Sequence, residues 1–195
     1  MNIIGLTGIS GAGKSTAADF FRQNGFFVID CDTVARECIA RSPCVDEVKR
    51  NFPEIFDNCE ISSFNRAKAR KHLFSAPEKL ELYQKIVFPY VVYSIMRLMQ
   101  KAAESGCNDI LLDASTLFQS GADDFCGSII AVVAEKNLCI QRITKRDQIS
   151  AEEGWMRLNN QPSIEFFAEN SDVIIQNNGS LEEFKAKLEK FFKRE

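Results

Sequence analysis

Gly8-Ile9-Ser10-Gly11-Ala12-Gly13-Lys14-Ser15 runs without a gap as glycine, four residues, then Gly-Lys-Ser, and Thr16 follows. This spacing suits the handling of a polyphosphate. Glycines let the chain curl until successive backbone N–H groups point inward as an anion nest. A helix opening at the same place adds its free N–H groups and the positive end of its dipole. Lys14 supplies a mobile charge for the β- and γ-phosphates, and the Ser15 hydroxyl is a hard oxygen placed to ligate Mg²⁺. In a chain of this length the match arises by chance about once in a hundred, given ordinary residue frequencies. An apolar run before it (Ile3–Thr7) and helix-period residues after it (Ser15–Gln23) supply the strand–loop–helix context that the motif requires. The expected ligand is ATP with Mg²⁺, held by Gly8, Ser10, Gly11, Ala12, Gly13, Lys14, Ser15 and Thr16.

Carboxylates and guanidinium groups elsewhere are of the types that phosphoryl transfer uses. Asp30-Cys31-Asp32 closes a second apolar run (Phe26–Ile29) and leads into a helix carrying Arg36. In an open α/β sheet ligands sit beyond the carboxyl ends of the strands, so both aspartates are expected to face the crevice of the phosphate loop. One of them suits the cap of the next helix. Asp32 suits an acceptor hydroxyl, which it would orient and deprotonate for in-line transfer. Asp113 ends a third apolar run, where a carboxylate holds a magnesium-bound water. Arg142 and Arg146 stand one helical turn apart on one face. With the polar stretch over about residues 146–162 they read as a mobile lid that brings positive charge onto the transferring phosphoryl group; the plain alternative is a solvated helix face. Arg66, Lys68, Arg70 and Lys71 suit either a phosphate-bearing small molecule or a solvated face.

Short apolar runs alternating with longer helix-period segments must position these groups, the pattern of a parallel sheet wrapped by helices. Candidate strands are Ile3–Thr7, Phe26–Ile29, Ile110–Asp113, Ser128–Ala134 and Asp172–Ile175, without the alternation of a half-wet sheet, as in strands buried on both faces. The spacing predicts a helix from Pro77 to about Ala103, with Pro89 kinking or interrupting it. A second helix is expected over Lys136–Asp147. A last one is capped by Ser180 with Glu183 as a capping box, its inner face lined by Leu181, Phe184, Leu188 and Phe191. The expected fold is α/β: a parallel sheet of about five strands of the P-loop NTPase type, flanked by helices. It forms one domain over residues 1–195, with a core at 1–44 and 105–195, a helical acceptor-binding insertion over about 45–104, and the lid.

The formal net charge of −3 gives no sign of the basic surface that nucleic-acid binders present. Seven scattered cysteines without a Cys-x-x-Cys pair read as reduced thiols of a cytoplasmic protein rather than a disulfide framework or zinc site. No apolar run reaches the roughly 20 residues of a membrane span, and no signal peptide is expected. The expected partners are small molecules, with no nucleic acid and no membrane, on a monomer or weak homo-oligomer. A GTPase would carry an Asp-x-x-Gly switch directly after a strand and an Asn-Lys-x-Asp base reader, and neither is found. The single His72 is expected to face solvent, and Trp155 to pack in the core or lid.

The whole chain resembles the bacterial dephospho-CoA kinases. The resemblance rests on Ile4-Gly5-Leu6-Thr7-Gly8 into the loop, Val28-Ile29-Asp30-Cys31-Asp32 with Val34-Ala35-Arg36, and Asn65-Arg66 to Arg70 with Leu73-Phe74. It continues through Gln141-Arg142, Arg146-Asp147, Gln161 and Asp172-Val173-Ile174 to Asn177-Asn178-Gly179. It implies an ATP-dependent kinase that phosphorylates the ribose 3′-hydroxyl of dephospho-CoA, the last step of coenzyme A synthesis. It also implies a helical region for the CoA moiety, Asp32 as base, Arg36 near the acceptor, substrate contacts at Arg66 and Arg70, and an ATP contact at Asn177. The chain departs from the family's pattern at Phe88-Pro89, where His-Pro is common. It departs again at Ser115-Thr116-Leu117-Phe118-Gln119, in place of Pro-Leu-Leu-Phe-Glu, and at Phe166 or Phe167, in place of a lysine. These departures fall on the acceptor side and the lid. They leave room for a related small-metabolite kinase with another acceptor. An ATP-binding regulatory protein without turnover is a third reading, against which Asp32, Arg142 and Arg146 together argue.

Overall fold

Five short runs of β-branched and aromatic residues form one sheet: β1 (Asn2–Gly8), β2 (Phe27–Asp30), β3 (Asp109–Asp113), β4 (Ser128–Val133) and β5 (Val173–Gln176). The computed structural model describes residues 1–41, 43–58, 60, 63–73 and 75–192, without the side chains of 191 and 192. Cys59, Phe74 and the side chain of Phe191 therefore lie outside the described residues. The strand order is β2-β3-β1-β4-β5, and the pairings β1–β3, β1–β4 and β4–β5 are parallel, with Leu6 opposite Asp113 and Gly8 opposite Val132. The three inner strands are buried on both faces, as their unbroken apolar runs predict. The outer two differ from that expectation: Phe27 and Ile174 are exposed, because a strand at a sheet edge is covered less fully.

The described chain divides into two compact units, Met1–Ile29 with Ala102–Glu195, and Asp30–Lys101. The first holds α1 (Lys14–Gln23), α6 (Lys136–Asp147), α7 (Ala151–Asn159), α8 (Ile164–Asn170) and α9 (Leu181–Phe192). Its core joins Leu6, Leu111, Ile130 and Val132 of the sheet to Phe21, Ile143, Phe167, Phe184 and Leu188 of the helices. The expected capping box at α9 is present: Glu183 N–H donates to Ser180 Oγ at 3.2 Å and Ser180 N–H to Glu183 Oε2 at 3.0 Å. Leu181 is exposed rather than inward, since it opens the helix before the packed face begins.

The second unit holds α2 (Cys31–Ile39), α3 (Cys44–Asn51), α4 (Arg66–Leu73) and most of α5 (Pro77–Glu104). The expected periodicity of α5 holds, with Ile86, Val87, Val91, Ile95 and Met99 buried. Pro89 does not interrupt it: the helix runs on through the proline. Tyr90 Oη donates to Glu47 Oε2 at 2.8 Å and so ties α5 to α3. The Cys38 thiol lies 3.3 Å from Ser94 Oγ and ties α5 to α2.

The six described cysteines are free thiols. Burial, aided by neighbouring Cys38 and Glu47, pushes Cys44 up to about 12, and burial with Asp123 pushes Cys126 up to about 12. The thiolate is the reactive form. A thiol reagent at pH 8 should therefore leave both unmodified in the folded protein and reach them only after unfolding, as peptide mapping would show. Rapid labelling of either in the folded chain would contradict their burial.

Candidate active site

The loop between β1 and α1 is shaped by positions where only glycine fits. Gly8, Gly11 and Gly13 all have positive φ, at 142°, 80° and 108°. A Cβ at Gly8 would strike the Val132 carbonyl, and one at Gly11 would lie 2.5 Å from the Cys139 carbonyl. Among the described residues no side chain caps α1, and its first turn holds no acidic residue. Its leading N–H groups and the positive end of its dipole are thus left without a side-chain cap at the loop, an arrangement that favours an anion there.

Side chains from three other elements tie down successive loop residues. Ser10 N–H donates to Gln161 Oε1 at 2.9 Å. The Arg142 guanidinium donates to the Gly11 carbonyl at 3.3 Å and to the Asn177 carbonyl at 3.1 Å. Asn177 Nδ2 donates to the Ala12 carbonyl at 2.7 Å, and Asn177 is itself buried. Arg142 is thus a fixed positive charge beside the loop, and Asn177 ties down the loop at Ala12. Lys14 Nζ donates to Asp113 Oδ1 at the end of β3. The pair holds the lysine close to the site, and a polyphosphate would compete for it.

Arg146 behaves differently from Arg142, although they share a helix. Its guanidinium forms a two-pronged bond to Asp147, at 2.7 and 3.0 Å, and Asp147 also accepts from Arg157 of α7. Arg146 first and Arg157 second hold the Asp147 carboxyl well below the usual carboxylate range. A lowered folded value means that the stabilisation is complete above the unfolded pKa of about 3.9 and declines as pH falls below it. Asp147→Asn should lower Tm by a constant amount above pH 5, and the gap to wild type should narrow below about pH 4. A gap independent of pH would show that the carboxylate contributes nothing as a charge.

Asp30 is the cap of α2: its carboxylate accepts from Thr33 N–H at 2.9 Å and from Thr33 Oγ1 at 2.6 Å. Asp32 stands in the first turn of α2, half-buried. Arg36 donates to the Thr33 hydroxyl and lies 3.9 Å from Asp30. Arg66 and Arg70 are carried by α4, whose N-terminus is capped by Asn65 Oδ1, accepting from Ala67 and Lys68 N–H at 3.0 Å each. His72 is half-buried rather than solvent-facing. It pairs with Glu54 at 2.5 Å and stands edge-on to Phe52, so it fastens α4 to the preceding 3-10 turn. Asp32, Arg36, Arg66 and Arg70 belong to the second unit, whereas the loop, Asp113, Arg142, Arg146 and Asn177 belong to the first.

Phe166 and Phe167, at one of the departures noted from sequence, are both packed against other aromatic rings. Phe167 is buried in the core, and Phe166 packs edge-on against Phe118 at 5.4 Å. Gln119 is exposed. Trp155, expected in packing, is 41 % exposed on α7. Sequence reasoning gave Gln161 no site role, because one polar residue in a polar stretch carries no periodic signal.

A five-stranded sheet in this order, with a glycine loop entering a helix and Arg142 bonded to the loop's Gly11 carbonyl, defines a phosphate-loop nucleotide-binding fold. The model of the dephospho-CoA kinase family matches residues 2–183. A dephospho-CoA kinase of Fusobacterium nucleatum is 33% identical over 190 residues, covering 97% of this chain and 96% of its own. One of Clostridium tetani is 34% identical over 194 residues, covering 97% and 84%. A solved structure from Thermus thermophilus superposes with a TM-score of 0.82 at 29% identity, over 98% of this chain and 96% of its own. The chain belongs to the dephospho-CoA kinase family, and it is a kinase, a phosphotransferase that draws on ATP. Among the described residues no helix is long and apolar enough to cross a membrane.

Proposed function

We propose that this chain transfers the γ-phosphoryl group of ATP to the ribose 3′-hydroxyl of dephospho-CoA. The observation that carries the reading is the division of labour in Asp30-Cys31-Asp32: Asp30 takes the cap of α2, so the role of base falls to Asp32. On binding ATP, Lys14 leaves Asp113 for the β- and γ-phosphates, and the N–H groups of the loop and of the first turn of α1 close around them. Asp32 accepts the proton of the 3′-hydroxyl as its oxygen attacks the γ-phosphorus, and the bond to the β-phosphate oxygen breaks to release ADP. Arg142 and Arg146 offset the charge that develops on the transferring group. Arg36, Arg66 and Arg70 suit the phosphates of the acceptor.

The Ser15 hydroxyl and the Asp113 carboxylate are the hard oxygens that Mg²⁺ prefers, so the donor set fits the ion. Held by Ser15 and Asp113, the ion would neutralise part of the triphosphate's charge. Localisation in the cytoplasm accords with the free thiols.

Product analysis tests the regiochemistry. Phosphorus NMR and mass spectrometry of the product from ATP and dephospho-CoA should show one new monoester on the ribose 3′-oxygen. A monoester at the 2′-oxygen, or none, would refute the proposal.

A further inference from the structure

We infer that Gln161 is a positioning residue, through which the α6–α7 hairpin holds the phosphate loop in its anion-binding shape and registers its occupant. This rests on the nucleotide-binding part of the function proposed above.

Gln161 is fixed by its own neighbours. Its N–H donates to the Leu158 carbonyl at 3.1 Å at the end of α7, Pro162 follows, and Ser163 caps α8 by accepting from Phe166 N–H at 3.2 Å. With its backbone already anchored on both sides, Gln161 need order only its own side chain to bond to the loop. Its target, Ser10 N–H, precedes the Gly11 carbonyl held by Arg142 and the Ala12 carbonyl held by Asn177. Three consecutive loop residues thus answer to three elements, and two of those contacts come from the hairpin or its end.

The hairpin itself is braced. Asp147 joins Arg146 of α6 to Arg157 of α7. Gly154 faces α6, where an added Cβ would sit in ordinary van der Waals contact with Ile140 and Thr144 at 3.5 Å. A capping box at Ser150 and Glu153 fixes the start of α7. A change in the loop's backbone therefore has a short, continuous hydrogen-bonded route to α7.

The choice of glutamine over glutamate has a physical reason. Both side chains offer an oxygen to Ser10 N–H, but only the amide does so without placing negative charge beside a nest that must receive a polyanion.

The chain carries a single tryptophan, Trp155, exposed on α7, and it reports on the hairpin. Full-length wild type and variants should be titrated with ADP by calorimetry and by Trp155 fluorescence. Wild type should change its fluorescence on binding. Gln161→Leu should bind ADP about 5- to 10-fold more weakly, the scale of one lost net hydrogen bond, and its fluorescence should no longer follow binding. Its KM for ATP should rise while that for dephospho-CoA stays unchanged. Gln161→Glu, which keeps the acceptor, should bind ADP more weakly than wild type, with the loss shrinking as salt is raised; it also serves if the leucine variant does not fold. Wild-type affinity in either variant, a silent Trp155 in wild type, or an unaltered Trp155 response in Gln161→Leu would overturn the inference. Intact ADP binding by wild type with no transfer to dephospho-CoA would refute the proposed acceptor and leave this inference standing.

Discussion

Asp32→Asn should bind ATP and ADP within about twofold of wild type while kcat falls by about 10²–10⁴, the usual contribution of a positioned general base. The asparagine matches the carboxylate in shape, so the first turn of α2 keeps its form, and Asp30 keeps the cap. What disappears is the group that takes the proton of the acceptor hydroxyl. Nucleotide affinity depends on the loop and on Lys14, which lie in the other unit. Calorimetry with ADP beside steady-state kinetics separates the two quantities. An equal loss in binding and turnover would show that Asp32 holds the nucleotide instead.

Lys14→Ala should damage affinity and rate together. The lysine faces the β- and γ-phosphates both before and during transfer, where charge spreads over the equatorial oxygens. Removing one such stabiliser costs about 10²–10³ in rate, and loss of its ground-state contact should weaken ATP binding by about tenfold or more. The variant also leaves Asp113, which is buried, without its lysine partner, so thermal unfolding should be measured alongside. Loss of rate with ATP affinity intact would mean that the lysine acts only in the transition state.

Much of the site was legible because backbone chemistry leaves local traces. Gly8 and Gly13 must be glycines for steric reasons that the spacing already reveals, whereas the need for glycine at Gly11 shows only in the fold; the capping box of α9 shows as Ser180 and Glu183 three apart. The five strands were visible as apolar runs, although the exposure of Phe27 and Ile174 depends on their place at the sheet edges, which no local pattern encodes. Long-range contacts were the hidden part. Arg142 reaches Gly11 across 131 residues and Gln161 reaches Ser10 across 151, and nothing in either segment announces a partner. The same limit explains His72: a histidine in a basic run reads as solvated until the fold brings Glu54 and Phe52 to it.

Acceptor dependence is the most direct measure of the account. ADP release from ATP with Mg²⁺ should be followed with dephospho-CoA and, separately, with nucleosides, simple sugars and shikimate-like acids at equal concentration. Dephospho-CoA should stimulate release by tenfold or more over the basal rate, with the others near basal. Stimulation by another acceptor instead, or by none, would contradict the assignment of dephospho-CoA as the acceptor.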